Sequence, residues 1–177
     1  IEVCRTSGGR PRKPSPIRPI STTGHSTSPA TSVSSPRSST TSSPAAKAAH
    51  QKFVPGKEKI YGVRMPFVNE LVAQYKSGGF ELIKELWKAG ALEEKLLAVK
   101  ISGKIAKKDP ALSLKMVELF ARNIGNWAVC DTIGMQCLKP LLKTHQKEIF
   151  ALARKYNQST DFWQRRLSLV LVEWYTR

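Results

Sequence analysis

The sequence predicts an all-α fold for residues 51–177, on three observations. Apolar residues recur at three- and four-residue spacing, strand-like alternation is almost absent, and Gly, Pro, Asn and Asp interrupt the pattern at helix-length intervals. Pro66 opens a first helix with Phe67, Leu71 and Tyr75 on one face, and Gly78-Gly79 closes it. A second helix, 80–88, carries Leu82, Ile83, Leu86 and Trp87. In a third, 92–107, the apolar residues Leu96, Val99, Ile101 and Ile105 spread around the axis, which predicts burial along most of its length. Asp109-Pro110 ends that helix and caps a fourth, 111–122. A fifth spans 127–142 with a bend before Pro140, and a sixth spans 146–156; Asn126, Thr144 and Thr160 stand where N-caps belong. The seventh runs from Asp161 through the apolar stretch 167–172 to the last residue.

Short turns between successive helices predict antiparallel hairpins stacked into a HEAT-like α-solenoid, although no crisp repeat period is present. A terminal repeat needs a polar outer face. Val172, Trp174 and Tyr175 are therefore expected to leave apolar surface exposed, and further repeats are expected beyond Arg177.

Residues 1–50 contain nineteen Ser or Thr and seven Pro but no Phe, Tyr or Trp, too little apolar area to offset the entropy of ordering. They are expected to form a disordered basic tail, and the leading Ile suggests a fragment or a translated upstream segment. The net charge of +16 is not a property of that tail: residues 51–177 retain +10. A surface this basic attracts polyanions, nucleic acid first among them. A membrane is not expected as partner, because no run of 18 apolar residues exists. Cys4, Cys130 and Cys137 are odd in number and lack C-x-x-C spacing, and His25, His50 and His145 are scattered, so neither a disulfide framework nor a metal site is predicted.

Two segments concentrate residues able to do chemistry. In Asn126-Trp127-Ala128-Val129-Cys130-Asp131, Trp127 and Asp131 are four apart and share a helix face. A carboxylate among cations disfavours phosphate binding; stabilising a positive charge is one reason to place it there. The same residues also fit a core tryptophan and a carboxylate bonded to a neighbouring arginine or amide. In Asp161-Phe162-Trp163-Gln164-Arg165-Arg166, the two arginines follow a negative first turn. Arg166 suits a phosphate contact. Arg165, about 100° away around the helix, also fits a solvated side chain.

The pattern Y-G-V-R-x-P at 61–66, E-L-W at 85–87, N-W-x-x-x-D at 126–131 and F-W-x-R-R at 162–166 resembles the DNA alkylation repair family of AlkD-like DNA glycosylases, over about residues 53–177 and in the same order. The resemblance implies a HEAT-like solenoid holding duplex DNA on a concave basic face, and an intracellular enzyme, cytoplasmic or at the nucleoid or nucleus, that works as a monomer without cofactor. Its substrates would be N3- or N7-alkylated purines. Asp131 matches the family's catalytic carboxylate, Trp127 its active-site tryptophan and Arg166 its backbone-binding arginine. Arg165, Arg64 of the entry motif and Phe53, at a position where the family can have Tyr, join them as candidate DNA contacts. Relative to the family, the chain reads as C-terminally truncated, since further repeats there carry another DNA-facing aromatic.

The chemistry follows from the residue types. Alkylation at a purine ring nitrogen makes the base a neutral leaving group, so positive charge develops on the deoxyribose. A fixed carboxylate stabilises that charge, and an indole face adds roughly 0.5–2 kcal/mol of cation–π attraction. Where most base-excising enzymes flip the nucleotide into a pocket, this family approaches the lesion from the backbone side, which implies selection by leaving-group charge. The competing readings are a noncatalytic helical-repeat DNA-binding module and a helical scaffold for acidic proteins.

Overall fold

Eight α-helices and short 3-10 and π turns account for the regular structure of the described residues, 42–54 and 56–177, of the computed structural model. The helices are α1 (Pro44–Phe53), α2 (Met65–Tyr75), α3 (Gly79–Ala89), α4 (Leu92–Ile105), α5 (Pro110–Ala121), α6 (Trp127–Thr132), α7 (Gln146–Asn157) and α8 (Phe162–Val172). One isolated bridge, Ser42 to Val63, is the extended pairing among these residues. The predicted all-α class is what the fold shows. Neighbours in sequence pack as pairs, α3 on α4 and α7 on α8, an arrangement compatible with HEAT-like stacking.

The core forms around α4, which is buried on nearly every side, as its evenly spread apolar residues predict. Val99, Ile101 and Ile105 meet Ile83 and Trp87 of α3, Phe120 of α5, Ile133 after α6 and Leu167 of α8 in one cluster. Each such buried aliphatic contributes about 1.5–3 kcal/mol relative to exposure. On α2 the buried face is Val68 and Val72, not the Phe67, Leu71 and Tyr75 stripe expected from sequence; Tyr75 is exposed.

Three other expectations change. Residues 44–50, assigned to the tail, are helical: the Ser43 hydroxyl accepts the Ala46 amide, Pro44 sits in the first turn, and the Ala-rich stretch that follows favours helix. A composition averaged over fifty residues hid that local signal; the rest of the expected tail, 1–41, lies outside the described residues. The predicted fifth helix is broken. α6 stops at Thr132, a π turn spans Ile133–Cys137, and a 3-10 turn at Lys139–Leu141 takes up Pro140, which cannot donate to a helical ladder. Lastly, Thr144 and Thr160 do not cap. α7 starts from His145 without a side-chain cap, and α8 is capped by Asp161, whose Oδ1 accepts the Trp163 and Gln164 amides. A carboxylate there also complements the positive helix end.

At the end of the chain the expected apolar exposure is partly relieved. The Trp174 indole N–H donates to the Met135 carbonyl at 2.9 Å, the Tyr175 hydroxyl donates to the Leu142 carbonyl at 2.8 Å, and Val172 packs on the core.

The π turn approaches α4 closely only because position 103 is glycine: a Cβ there would run into the Gln136 carbonyl. Alanine in place of a helical glycine ordinarily stabilises by about 1 kcal/mol. Here the clash is with backbone, which cannot swing aside, and overpacking costs about 1–3 kcal/mol. Gly103→Ala is therefore expected to be net destabilising, read as a lower urea midpoint; a midpoint at or above wild type would contradict the packing described.

Candidate functional site

α6 is held at its first turn by a buried polar network. Lys95, only 3% exposed, donates to Glu58 Oε1 at 2.6 Å and to the Asn123 carbonyl at 3.0 Å. The other Glu58 oxygen accepts from the Asn126 amide nitrogen. With its NH₂ committed to Glu58, Asn126 turns its carbonyl oxygen to the Val129 amide at 2.9 Å and caps α6. Trp127 and Asp131 therefore project from a helix whose start is fixed by an ion pair elsewhere in the chain.

Both side chains reach solvent. Trp127 is 40% exposed, and its indole N–H donates to the Phe53 carbonyl at the end of α1 at 2.8 Å, which sets the ring plane. The Asp131 side chain is 31% exposed and takes a bidentate contact from Arg166 of α8: Nε donates to Oδ1 at 2.8 Å and an Nη to Oδ2 at 2.7 Å. Hydrogen bonding to Asp131 raises the Arg166 pKa above its already high ordinary value. Of the partners the sequence allowed Asp131, a neighbouring arginine or an amide, the structure shows the arginine, with the side chain still partly open to solvent.

Asp131 and Trp127 line a cavity of about 320 Å³ with Met65, Leu96, Lys100 and Gln136. Lys100, Met135 and Gln136 also line a hollow of about 590 Å³ that adds Lys104, Lys139 and Trp174. The two adjoin at these shared residues, as a trough beside α4 and the π turn. Asp131 is the single carboxylate in either lining, and Lys100, Lys104 and Lys139 are the cations. Lys139 lies 4.2 Å above the Trp174 ring, a cation–π contact that keeps its charge at the trough wall.

The remaining predicted residues divide. Phe53 is 67% exposed, so its ring is available to a partner. Arg64 is exposed at the start of α2 with its guanidinium 5.9 Å from the Phe67 ring, beside Met65 of the cavity lining but not in it. Arg165 is exposed, as a solvated side chain would be, and one of its Nη atoms donates to the Ser159 and Thr160 carbonyls at 3.0 and 2.8 Å and closes the α7–α8 turn. Arg166, read from sequence as a phosphate ligand, is engaged by Asp131, with Nη1 left without a protein partner among the described residues. Cys130 and Cys137 are free and buried, and burial pushes both thiols up to about 12, which leaves no thiolate at neutral pH.

The Y-G-V-R segment has a physical rationale that sequence reading missed. The amides of Tyr61, Gly62 and Val63 converge on the buried Glu93 carboxylate at 3.1, 2.8 and 3.1 Å. Gly62 makes this possible with φ +83°, which turns consecutive amides toward one anion. Glu58, Glu93, Lys95, Lys100 and Gln136 were all overlooked. The available signal was in α4, where Glu93 and Lys95 interrupt a helix otherwise read as buried: a charge on an apolar face requires a partner.

A family model described as DNA alkylation repair enzyme matches residues 39–177. The chain belongs to that family. The match starts ahead of α1 and takes in every element described. No curated protein and no solved structure matches the chain. For members of a DNA alkylation repair family, damaged DNA is the substrate to set against the trough.

Proposed function

We propose that the protein is a DNA glycosylase that releases cationic N3- or N7-alkylated purines from duplex DNA, acting inside the cell as a monomer without cofactor. The observation that carries this reading is the Asp131 carboxylate, fixed by Arg166, sharing a lining with Trp127 in a trough whose other charged residues are lysines. Lys104 and Lys139 neutralise phosphates, each contact releasing counterions and steepening the salt dependence of binding. The strand's deoxyribose then faces Asp131. As the C1′–N bond breaks, its electron pair leaves with the base and cancels the base's positive charge. The sugar's growing charge meets a carboxylate that needs no reorganisation, because Arg166 has already oriented it. Water adds to C1′ and gives up a proton, leaving an abasic site. The exposed Trp127 face attracts the cationic base or sugar by roughly 0.5–2 kcal/mol.

The test is base release from methylated duplex DNA at neutral pH, with the soluble fraction separated by chromatography. Free 7-methylguanine and 3-methyladenine with matching abasic sites are expected, and unmethylated duplex is expected to release nothing. Salt-sensitive DNA binding with no released base would overturn the enzymatic reading in favour of a noncatalytic DNA-binding module.

A further inference from the structure

Lys100 is the one amine lining the cavity that holds Asp131 and Trp127. It is half-buried on α4, and its Nζ donates to Gln136 Oε1 at 3.2 Å, so the π turn holds the amine at the cavity wall. The glycosylase reading, on which this inference rests, leaves an aldehyde-forming abasic sugar in that same space. We propose that Lys100 is a nucleophile toward the abasic product, giving the protein a second activity as an abasic-site lyase.

The steps balance without any further reactant. Lys100 Nζ adds to C1′ of the ring-opened sugar, water leaves, and a C1′=N imine forms. Asp131, the cavity's one carboxylate, accepts a C2′ proton. The electron pair released forms a C2′=C3′ double bond, and the C3′–O bond breaks with its pair going to the departing phosphate. Water then hydrolyses the imine, frees the amine and releases an unsaturated aldehyde on the cleaved strand.

A lysine that only grips phosphate works best fully solvated and protonated; imine formation requires the neutral amine. Burial, and secondarily the neighbouring Lys104, lower the pKa of Lys100 from the ordinary 10.5 and enlarge that neutral fraction at any given pH. The Gln136 carbonyl accepts an N–H of Lys100, which leaves the nitrogen lone pair of the neutral amine free to attack.

The experiment uses the full chain with duplex DNA carrying a preformed abasic site, so no base excision is needed, with sodium borohydride as trap. The wild type is expected to form a covalent protein–DNA adduct that peptide mapping places on Lys100, and to nick the strand on the 3′ side without the trap. Lys100→Arg keeps the charge but cannot form the imine and should reduce adduct at least about tenfold while binding the same duplex. No adduct from wild type bound to abasic DNA, an adduct mapped to another residue, or an undiminished adduct in Lys100→Arg would each overturn the proposal. Release of methylated bases, assayed in parallel, separates this outcome from failure of the glycosylase reading.

Discussion

Asp131→Asn is expected to lower the rate of methylpurine release by about a hundredfold or more, roughly 3 kcal/mol of lost transition-state stabilisation. Asparagine keeps the size and one acceptor oxygen but not the charge that opposes the developing oxocarbenium. Stability should change little. The Asp131–Arg166 pair is partly solvent-exposed, with the two side chains 31% and 40% accessible, and such pairs contribute about 0.2–1 kcal/mol. DNA affinity should be retained or increased, because the substitution releases the Arg166 guanidinium from its carboxylate and turns it toward phosphate. The released arginine also makes the salt dependence of binding steeper, by up to about one counterion. Single-turnover kinetics with saturating enzyme read the chemical step, and a salt titration reads the binding step. Unchanged release kinetics would remove Asp131 from the chemistry; reduced release with equally reduced affinity would make the pair a structural clamp.

This expected split between rate and affinity depends on a pairing that the sequence did not reveal. Trp127 and Asp131 sharing one exposed face was legible, because a spacing of four fixes direction on a helix and Asn126 marks where the helix begins. Helix limits at Pro66 and Asp109 were equally readable, since each residue type has a local reason to start a helix. Arg166 meeting Asp131 was only one of several possibilities. The partners are 35 positions apart and come together through the packing of α6 on α8, which no local pattern encodes. The break after Thr132 was hidden for a similar reason: the π turn that follows packs on α4, where the Gln136 carbonyl approaches Gly103, a contact between distant segments. Helix α1 was missed for the opposite reason, a clear local cap submerged in a biased stretch.

The Glu58–Lys95 pair yields the second large effect, and it separates stability from positioning. Glu58→Gln alone leaves a nearly inaccessible ammonium without its counter-charge, and breaking a buried pair in this way costs about 3–5 kcal/mol. Thermal or urea unfolding should show most of that loss. Replacing both partners, Glu58→Leu with Lys95→Met, removes the uncompensated charge, and such apolar replacements are often neutral or stabilising. The double variant should therefore recover most of that loss. Its Asn126, however, has lost the acceptor that kept its amide oriented, so the cap of α6 weakens by about 1 kcal/mol and the first turn, with Trp127 on it, loosens. Base release is then expected to stay depressed by about tenfold, close to 1.4 kcal/mol, in a protein whose stability is largely restored. Recovery of stability together with full release would show that Glu58 and Lys95 serve only the fold. Recovery of stability alone would make them positioning residues, acting on the chemistry through Asn126 and the helix it caps.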